Sequence, residues 1–132
     1  MEVTIQSDNI TQLKELSHYL EELESELAVF FALSVDMFLI CRSDGEILKV
    51  NPAWKTRLGW DKSELIGSSY YAFVHPDDLL KTEKVSDSLC SVPLTESFKN
   101  RYICKDGTYK MLAWRAICSN DKYYATARVV TE

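Results

Sequence analysis

Four cysteines and two histidines are the side chains of this 132-residue sequence best suited to bind a metal or act as nucleophiles. The cysteines, Cys41, Cys90, Cys104 and Cys118, are widely spaced and include no Cys-x-x-Cys pair of the kind typical of zinc sites. The same spacing argues against the disulfide framework of a small secreted domain. We therefore expect no metal site and four reduced, buried thiols.

Catalytic motifs are missing as well. The sequence has no phosphate-binding glycine loop, nucleophile elbow, zinc motif or kinase signature. Cys104 and His75 would form a nucleophile and base only if the fold brought them together, and nothing in the sequence does so. Asp77 and Asp78 follow Pro76, a pattern typical of a helix start stabilised by the helix dipole. We expect that this chain is not an enzyme.

Charge is distributed unevenly along the chain, whose formal net charge is −5. Residues 1–27 carry seven acidic side chains against Lys14 alone, whereas residues 28–132 are nearly neutral. Because no basic stripe is present to bind phosphates, nucleic acid is not an expected partner. No apolar run approaches the length of a membrane span, and no signal peptide precedes the acidic start. We predict a cytoplasmic protein that does not insert into a membrane.

Apolar residues recur at alternating spacings of three and four between residues 10 and 33, which predicts a helix with a heptad seam. Such a helix can lie on its own domain or pair with the same helix of a second chain. Glu24 and Glu26 flank the seam without lysine partners, so they would repel their counterparts in a parallel coiled coil. We predict that residues 1–33 form an N-terminal amphipathic helix, which makes a homodimer together with part of the domain surface. The seam consists of Leu13, Leu16, Leu20, Leu23, Leu27 and Phe30.

Turn and helix-boundary signals divide residues 34–132 into short elements. Asp44-Gly45, Asp106-Gly107 and Asn120-Asp121 are strong signals of hairpin turns. Asn51 is expected to cap a helix that begins at Pro52. The predicted elements are strands Met37–Arg42 and Glu46–Val50, helices Pro52–Leu58, Asp61–Ile66, Tyr70–Val74 and Pro76 to about Cys90, and strands Glu96–Lys105, Thr108–Cys118 and Lys122–Val130.

This order of elements predicts an α+β domain over residues 34–132, with short helices packed on one face of a five-stranded antiparallel sheet. Along the last three strands, alternation puts the apolar side chains under the helices and the charged ones outside. Asn100 is the exception, because its amide shares the apolar face with Phe98 and Tyr102 and must find a hydrogen-bond partner. That partner is expected to be a nearby backbone group or a ligand in a cavity.

Five motifs follow one another along the chain, namely SDGEILKVNPAW, LGWDKSELIG, FVHPDD, NRYICKDGTYKMLAWRA and ATARVVTE. In this order they resemble a PAS domain, a widespread sensory and interaction module of signalling proteins, and the resemblance covers roughly residues 30–132. It implies the input domain of a larger signal-transduction protein, upstream of a histidine kinase, a diguanylate cyclase or another PAS domain. It also implies that the acidic N-terminal helix matches the helix through which many PAS domains dimerise.

One departure from the family pattern concerns the end of the last strand. PAS domains often end in Asp-Ile-Thr, whose aspartate can pair with nearby basic residues and couple the sheet to the outgoing helix. Val129 occupies the matching position here and is followed by Val130 and Thr131. The resemblance therefore does not extend to coupling through this carboxylate.

The resemblance also implies a cavity between the sheet and the short helices, and two functions follow from it. In the first, a small molecule binds there and biases how the sheet and the N-terminal helices pack in a dimer. In the second, the chain's own aromatic side chains fill the cavity, and the domain dimerises and relays signals. A pocket too small for a fragment-sized ligand would count against the first function. The residues expected around the cavity are Trp54, Tyr71, Asn100, Tyr102, Leu112, Trp114 and Ala127.

No cofactor is predicted for this cavity. A similar fold serves flavin photosensors of the light-oxygen-voltage type, which need a reactive cysteine where this chain has Tyr70. They also need side-chain amides at positions that are Tyr102, Leu112 and Ala127 here, and none of these supplies an amide. The photochemistry is therefore excluded, whereas non-covalent flavin binding is not.

Haem would require an axial ligand, usually a histidine on the long helix after Pro76. That helix contains none. His75 precedes it and is expected to be a turn or capping residue, while His18 lies in the N-terminal helix, far from the expected cavity. Redox or gas sensing with non-covalent flavin or haem is the alternative function, with His75 or Cys90 as the haem ligand.

Overall fold

Two units make up the chain in the computed structural model, which describes the backbone of residues 2–131 and the side chains of residues 8–131. The first unit ends at Leu33 and the second begins at Ser34. The first is a single helix, and the second contains a five-stranded sheet with its covering helices. Across the described residues, no helix combines the length and apolar character needed to cross a membrane.

Helix α1 spans Glu2–Leu33 and so begins before residue 10, where the apolar spacing first becomes visible. Leu23 in the predicted seam is half-buried, and the other five seam residues are between 48% and 70% exposed in the single chain. A row of exposed apolar side chains along one helix is typical of a surface that another molecule covers. The exposed members of the seam are Leu13, Leu16, Leu20, Leu27 and Phe30.

The second unit is built on five strands, whose order across the sheet is β2-β1-β5-β4-β3. Every neighbouring pair is antiparallel, which confirms the predicted sheet. The strand ends lie within one or two residues of the predicted ones. The strands are β1 (Met37–Arg42), β2 (Ile47–Val50), β3 (Thr95–Ile103), β4 (Tyr109–Ser119) and β5 (Lys122–Val129).

Short helices connect β2 to β3. The helix predicted to run from Pro76 to about Cys90 consists of a 3-10 turn, an α-helix and a second 3-10 turn, because helix ends readily tighten into 3-10 geometry. Gly59 ends the first short helix in the left-handed conformation, with φ at 88°. The helices are α2 (Ala53–Leu58), α3 (Lys62–Leu65) and α4 (Leu79–Ser88), with 3-10 turns at Tyr70–Phe73, Pro76–Asp78 and Leu89–Ser91.

Two hairpin turns adopt left-handed backbone conformations at the residues where their sequences predict them. Gly45 has a φ of 101°, and a Cβ at this position would lie 3.1 Å from Ser69 Oγ and 3.3 Å from the Tyr71 ring. Any side chain here would therefore meet both backbone strain and a close contact. Asn120 and Asp121 adopt φ values of 50° and 61°, the left-handed pair that a type I′ turn requires.

Aromatic side chains form the middle of the core. Tyr102 on β3 and Trp114 on β4 are buried on the inner face of the sheet, as the alternation predicts. Trp54 on α2 packs against both, with its ring centroid 5.9 Å from that of Tyr102 and 6.3 Å from that of Trp114. These tilted arrangements give favourable ring contacts and fill the space between α2 and the sheet.

Asn51 has a different role from the predicted helix cap. Its Oδ1 accepts a hydrogen bond from the Phe38 amide, and its Nδ2 donates one to the Asp36 carbonyl, both at 2.8 Å. The residue at the cap position of α2 is Pro52, which has no side-chain oxygen to offer. Asn51 is buried, so its amide is used to join the start of α2 to β1 rather than to cap the helix.

The prediction of four reduced thiols is wrong for one pair, because Cys90 and Cys118 form a disulfide. These residues are 28 positions apart in the sequence, yet their Cα atoms are separated by 4.9 Å. Spacing along the chain does not show this contact, since it depends on how α4 crosses the sheet. Cys41 and Cys104 are free and buried. In the part of the chain that the structure describes, no group of three or more His, Cys, Asp or Glu side chains is placed to hold a metal ion.

Asp78 joins the start of α4 to β3 through its buried carboxylate. Its Oδ2 accepts hydrogen bonds from the backbone amide and from Nε of Arg101, at 2.7 and 2.9 Å. Its Oδ1 accepts a third from Arg101 Nη2 at 2.8 Å. Chiefly because of the Arg101 side chain, which outweighs the effect of burial, the pKa of Asp78 lies far below its usual range.

We expect Asp78→Asn to lower the free energy of unfolding by about 2–3 kcal/mol, because charge-assisted hydrogen bonds to Arg101 are lost. The folded-state pKa of Asp78 is depressed, so its contribution is complete above the unfolded value of about 3.9 and declines as the pH falls below it. Urea unfolding of both proteins at neutral and acidic pH measures this difference.

The matched control is Asp77→Asn, which removes an adjacent exposed carboxylate and is expected to change stability by no more than about 0.5 kcal/mol. The assignment is contradicted if the two variants lose equal stability. It is also contradicted if the deficit of Asp78→Asn persists unchanged at acidic pH.

Candidate functional site

A cavity of about 60 Å³ lies between α4 and the inner face of the sheet. On the helix side it is lined at helical spacing by Thr82, Val85 and Ser86 of α4 and by Leu89 of the 3-10 turn that continues it. On the sheet side the lining is mainly aromatic, and the few small side chains leave the empty volume that forms the cavity. That wall includes Phe98, Asn100, Tyr102, Trp114, Ala116 and Tyr123.

Asn100 lies at the centre of a buried hydrogen-bond network that joins β3 to both β4 and α4. Its Nδ2 donates to Thr82 Oγ1 at 3.1 Å, and its Oδ1 accepts from Trp114 Nε1 at 2.7 Å. Thr82 in turn donates to the Asp78 carbonyl at 2.7 Å. The partner expected for Asn100 was a backbone group or a ligand, and the structure provides two side chains instead.

A second network surrounds Ser86, one helical turn further along α4. The Ser86 hydroxyl is hydrogen-bonded to the phenol of Tyr70. The Ser86 carbonyl accepts a hydrogen bond from the Tyr123 hydroxyl at 3.0 Å. Tyr123 is on β5, and Tyr70 is in the 3-10 turn Tyr70–Phe73. These hydrogen bonds therefore attach α4 to two further elements. Among the described residues, no buried side-chain nitrogen or oxygen lacks a hydrogen-bond partner.

The ionisable side chains of the cavity wall are held in their neutral forms. Burial raises the pKa of the Cys41 thiol to about 12 and raises the pKa values of Tyr70 and Tyr102 as well. Removing these groups from water penalises the thiolate and phenolate forms. The cavity is therefore an uncharged site at neutral pH, suited to a neutral occupant or to none.

The seven residues expected around the cavity divide into two groups. Asn100, Tyr102 and Trp114 line it. Trp54, Leu112 and Ala127 are buried in the core away from the cavity wall, and Tyr71 is half-buried, with its ring centroid 4.3 Å from that of Tyr70. The observed cavity lies closer to α4 than the predicted one. This is because the Trp54 indole fills the space between α2 and the sheet, where the sequence predicted the cavity.

Sequence analysis missed the contribution of α4. Thr82, Val85, Ser86 and Leu89 follow the i, i+3, i+4, i+7 spacing of one helix face, which is the available signal. Two of these residues are polar, so the stripe does not stand out as hydrophobic. Cys41 on β1 was also missed as a cavity residue, although its inward position follows from alternation with Leu39.

The cavity wall offers no axial ligand of the kind that haem requires. Within the described lining there is no histidine, and Cys90 is committed to a disulfide. His75 accepts a hydrogen bond from the Asp77 amide at 3.0 Å, and its ring packs 4.5 Å from that of Tyr109, as a capping residue would. A cavity of about 60 Å³ is also several times smaller than the roughly 300 Å³ at which ordinary ligand pockets begin.

Replacing Asn100 with leucine tests whether its network holds the cavity wall together. We expect Asn100→Leu to lower the free energy of unfolding by about 1–3 kcal/mol, since Trp114 Nε1 loses its buried acceptor. Urea unfolding followed by tryptophan fluorescence provides the measurement. Lys99→Leu, on the exposed face of the same strand, is the control and should stay within about 0.5 kcal/mol of wild type. Equal stability of Asn100→Leu and wild type would contradict the role given to the network.

Sequence comparison identifies a family with this architecture. The sequence model of the family described as PAS fold matches residues 47–130, which is more than half of the chain. Comparison with curated proteins finds no significant match.

Solved structures with the same fold include several PAS domains. The PAS domain of an HTR-like protein from Haloarcula marismortui is similar with a TM-score of 0.77 and 26% identity, over 89% of this chain and 99% of that chain. A domain of a sensory box sensor histidine kinase/response regulator from Geobacter sulfurreducens has a TM-score of 0.71 and 16% identity, over 83% and 96% of the two chains. The RpfR quorum-sensing receptor PAS domain of Cronobacter turicensis, in complex with BDSF, has a TM-score of 0.65 and 15% identity, over 74% and 96%. The last two are distant enough in sequence to support the fold alone.

The family match begins at the first residue of β2 and ends one residue beyond β5, so it spans the covering helices and four of the five strands. Together with the observed strand order, this shows that the chain belongs to the PAS fold family.

Proposed function

We propose that this chain is the input module of a larger signal-transduction protein and that it acts by dimerisation and signal relay. Membership of the PAS family supports the sensory role. The observation that carries the relay is the seam of α1, whose five exposed apolar side chains would be covered by a second copy of the same helix. In this proposal, residues 1–33 form the dimer helix and residues 34–132 the PAS domain.

The output domain is proposed to lie downstream in the same polypeptide and to be a histidine kinase or a diguanylate cyclase. A solved domain of the same fold belongs to a sensor histidine kinase/response regulator from Geobacter sulfurreducens, so a PAS domain can serve an output of the first kind. Relay then requires two arrangements of the dimer that differ in how the sheet and helices pack, because a signal acts only through a difference between two states.

The size of the cavity favours relay over binding of a fragment-sized ligand. About 60 Å³ is far below the volume of ordinary ligand pockets, and the aromatic rings of Trp54, Tyr102 and Trp114 occupy the neighbouring space. The polar atoms of the wall are already paired with one another. A ligand would therefore have to displace protein hydrogen bonds as well as enlarge the cavity.

A small-molecule sensor is the second candidate function. It is favoured by the placement of Asn100, Thr82 and Ser86 on an otherwise apolar wall, since a few polar groups in an apolar pocket are typical of ligand sites. A receptor of the same fold, RpfR, is bound to BDSF. If this candidate is correct, α4 must move outward to make room.

Leu20→Glu tests the proposed dimer helix. Placing a carboxylate in the middle of an apolar seam, once from each chain, is expected to raise the dimer dissociation constant by at least about tenfold. Because α1 is acidic, the wild-type dimer is also expected to tighten as salt screens the repulsion between helices. Analytical ultracentrifugation over a range of protein and salt concentrations measures both effects.

The control for this experiment is Ser25→Glu, which adds the same charge to α1 on the side away from the seam. It should affect dissociation only slightly. If Leu20→Glu leaves the dimer intact, α1 is not the contact. If both variants weaken the dimer equally, charge repulsion rather than the seam is responsible.

Native mass spectrometry and an absorption spectrum of freshly purified protein distinguish the candidate functions. Relay predicts the mass of the polypeptide or its dimer with no bound ligand, and no absorption beyond that of its aromatic residues. A bound mass that disappears in Ala116→Val, which narrows the cavity, would instead establish the small-molecule sensor. A flavin or Soret band would establish redox or gas sensing and overturn the relay proposal.

We also propose a cytoplasmic location for the module, based on its acidic composition and its two free, buried thiols. A cytoplasmic location has a consequence for the disulfide between Cys90 and Cys118. Disulfides in the cytosol of most organisms are usually transient and serve catalysis or redox sensing, so a permanent structural bond would be unusual there.

A further inference from the structure

Helix α4, which forms one wall of the cavity, is attached to the sheet along its whole length. At its start, Asp78 binds Arg101 of β3. One turn further, Thr82 accepts a hydrogen bond from Asn100, and in the last turn the Ser86 carbonyl accepts one from Tyr123. At its far end the attachment is covalent, through the disulfide between Cys90 in the following 3-10 turn and Cys118 on β4.

The disulfide lies directly beside the cavity. Leu89, which precedes Cys90, is one of the residues that line the cavity. Ala116 also lines it and is two residues from Cys118 on β4, so both side chains point to the same face of the strand. Any outward movement of this end of the helix would therefore widen the cavity at Leu89.

The chain that follows the disulfide is weakly anchored. Residues 90–94 are all exposed, so Leu89 is the last buried side chain before β3 begins. The pairing of β3 with β4 is also irregular at its start, because the register shifts between Thr95 and Phe98, where Ser97 adopts a φ of 61°. Without the sulfur–sulfur bond, the segment beyond the hydrogen bonds of Ser86 would be held mainly by the burial of Leu89.

We propose that the Cys90–Cys118 disulfide is a redox modification site that controls access to the cavity. The oxidised form holds the end of α4 against β4, and reduction by a dithiol releases it and opens the cavity next to Leu89. The inference rests on the role proposed above for this chain, the input module of a signalling protein. It adds the chemical class of an input, a thiol–disulfide couple.

The reaction is thiol–disulfide exchange. Cys90 is exposed and Cys118 is half-buried, so a thiolate of the dithiol attacks the sulfur of Cys90. A mixed disulfide forms with Cys90, and Cys118 leaves as a thiolate that takes up a proton. The second thiol of the reductant, as its thiolate, then attacks the mixed disulfide and releases Cys90, so the dithiol is oxidised as the protein disulfide is reduced. The reverse exchange with an oxidised dithiol restores the bond.

The two free cysteines report whether the cavity opens. Cys41 lines the cavity, whereas Cys104 is buried elsewhere in the core and is absent from its wall. The burial that raises the pKa of Cys41 to about 12 keeps its thiol unreactive in the closed state. Entry of water and reagent through an opened cavity would remove that protection from Cys41 without exposing Cys104.

The experiment compares the oxidised chain with the chain reduced by dithiothreitol and then freed of reductant. Each sample is alkylated with N-ethylmaleimide, and peptide mass mapping follows Cys41 and Cys104 separately over time. We expect Cys41 to react at least about tenfold faster in the reduced protein, with Cys104 slow in both samples. The double variant Cys90→Ser, Cys118→Ser should label Cys41 as fast as reduced wild type and should not respond to dithiothreitol.

Three outcomes would overturn the proposal. The first is failure of Cys90 and Cys118 to pair under oxidising conditions, and the second is equally fast labelling of Cys41 in both redox states. Faster labelling of Cys41 and Cys104 together would show general unfolding rather than opening of the cavity. The wild-type comparison keeps the test valid even if the double variant fails to fold. Ultracentrifugation of Leu20→Glu addresses the dimer separately, so failure of the redox site and failure of the relay are distinguishable.

Discussion

The bond between Asp78 and Arg101 is the interaction on which the functional half of this domain depends. At the start of α4, the buried carboxylate of Asp78 accepts three hydrogen bonds from Arg101. These bonds set the distance between that helix and β3. The adjacent His75 amide donates to the Arg101 carbonyl at 2.8 Å, so the same strand residue holds the preceding turn as well. Once this end is fixed, the direction of α4 brings Thr82 to Asn100 and Ser86 to Tyr123. The cavity is the space that remains between them.

The interior of the domain has two parts, the aromatic core beneath α2 and the cavity beneath α4. Trp54, Tyr102 and Trp114 pack closely where α2 meets the sheet, and the cavity lies beside this cluster, towards α4. Under α4 the sheet combines aromatic rings with the small side chain of Ala116, and side-chain hydrogen bonds join it to the helix. A core packed by rings is costly to rearrange, whereas a helix held by a few hydrogen bonds and one reducible disulfide is easier to move. The two halves of the interior thus differ in how readily they can change.

Most of the fold could be predicted from the sequence because its signals are local. Asp44-Gly45 and Asn120-Asp121 specify hairpin turns through backbone conformations that few other residues adopt, and alternation then assigns the faces of the strands. The candidate site was predicted only in part, because it depends on where α4 lies. The sequence shows that Asn100 needs a hydrogen-bond partner, but its partners, Thr82 and Trp114, come from two other elements. Cys90 and Cys118 meet for the same reason, although nothing in their spacing indicates it.

The position of β5 in the sheet has a consequence for folding. This strand follows the other four along the chain, yet it lies between β1 and β4 and pairs with both. Before it is in place, β1–β2 and β3–β4 are two separate hairpins with no hydrogen bonds between them. Pairing of Met37 with Ala127 closes a loop of most of the domain, so formation of the sheet is expected to be slow and all-or-none. A nascent chain would expose two unpaired strand edges until β5 is synthesised, and the central strand would then complete both hairpins at once.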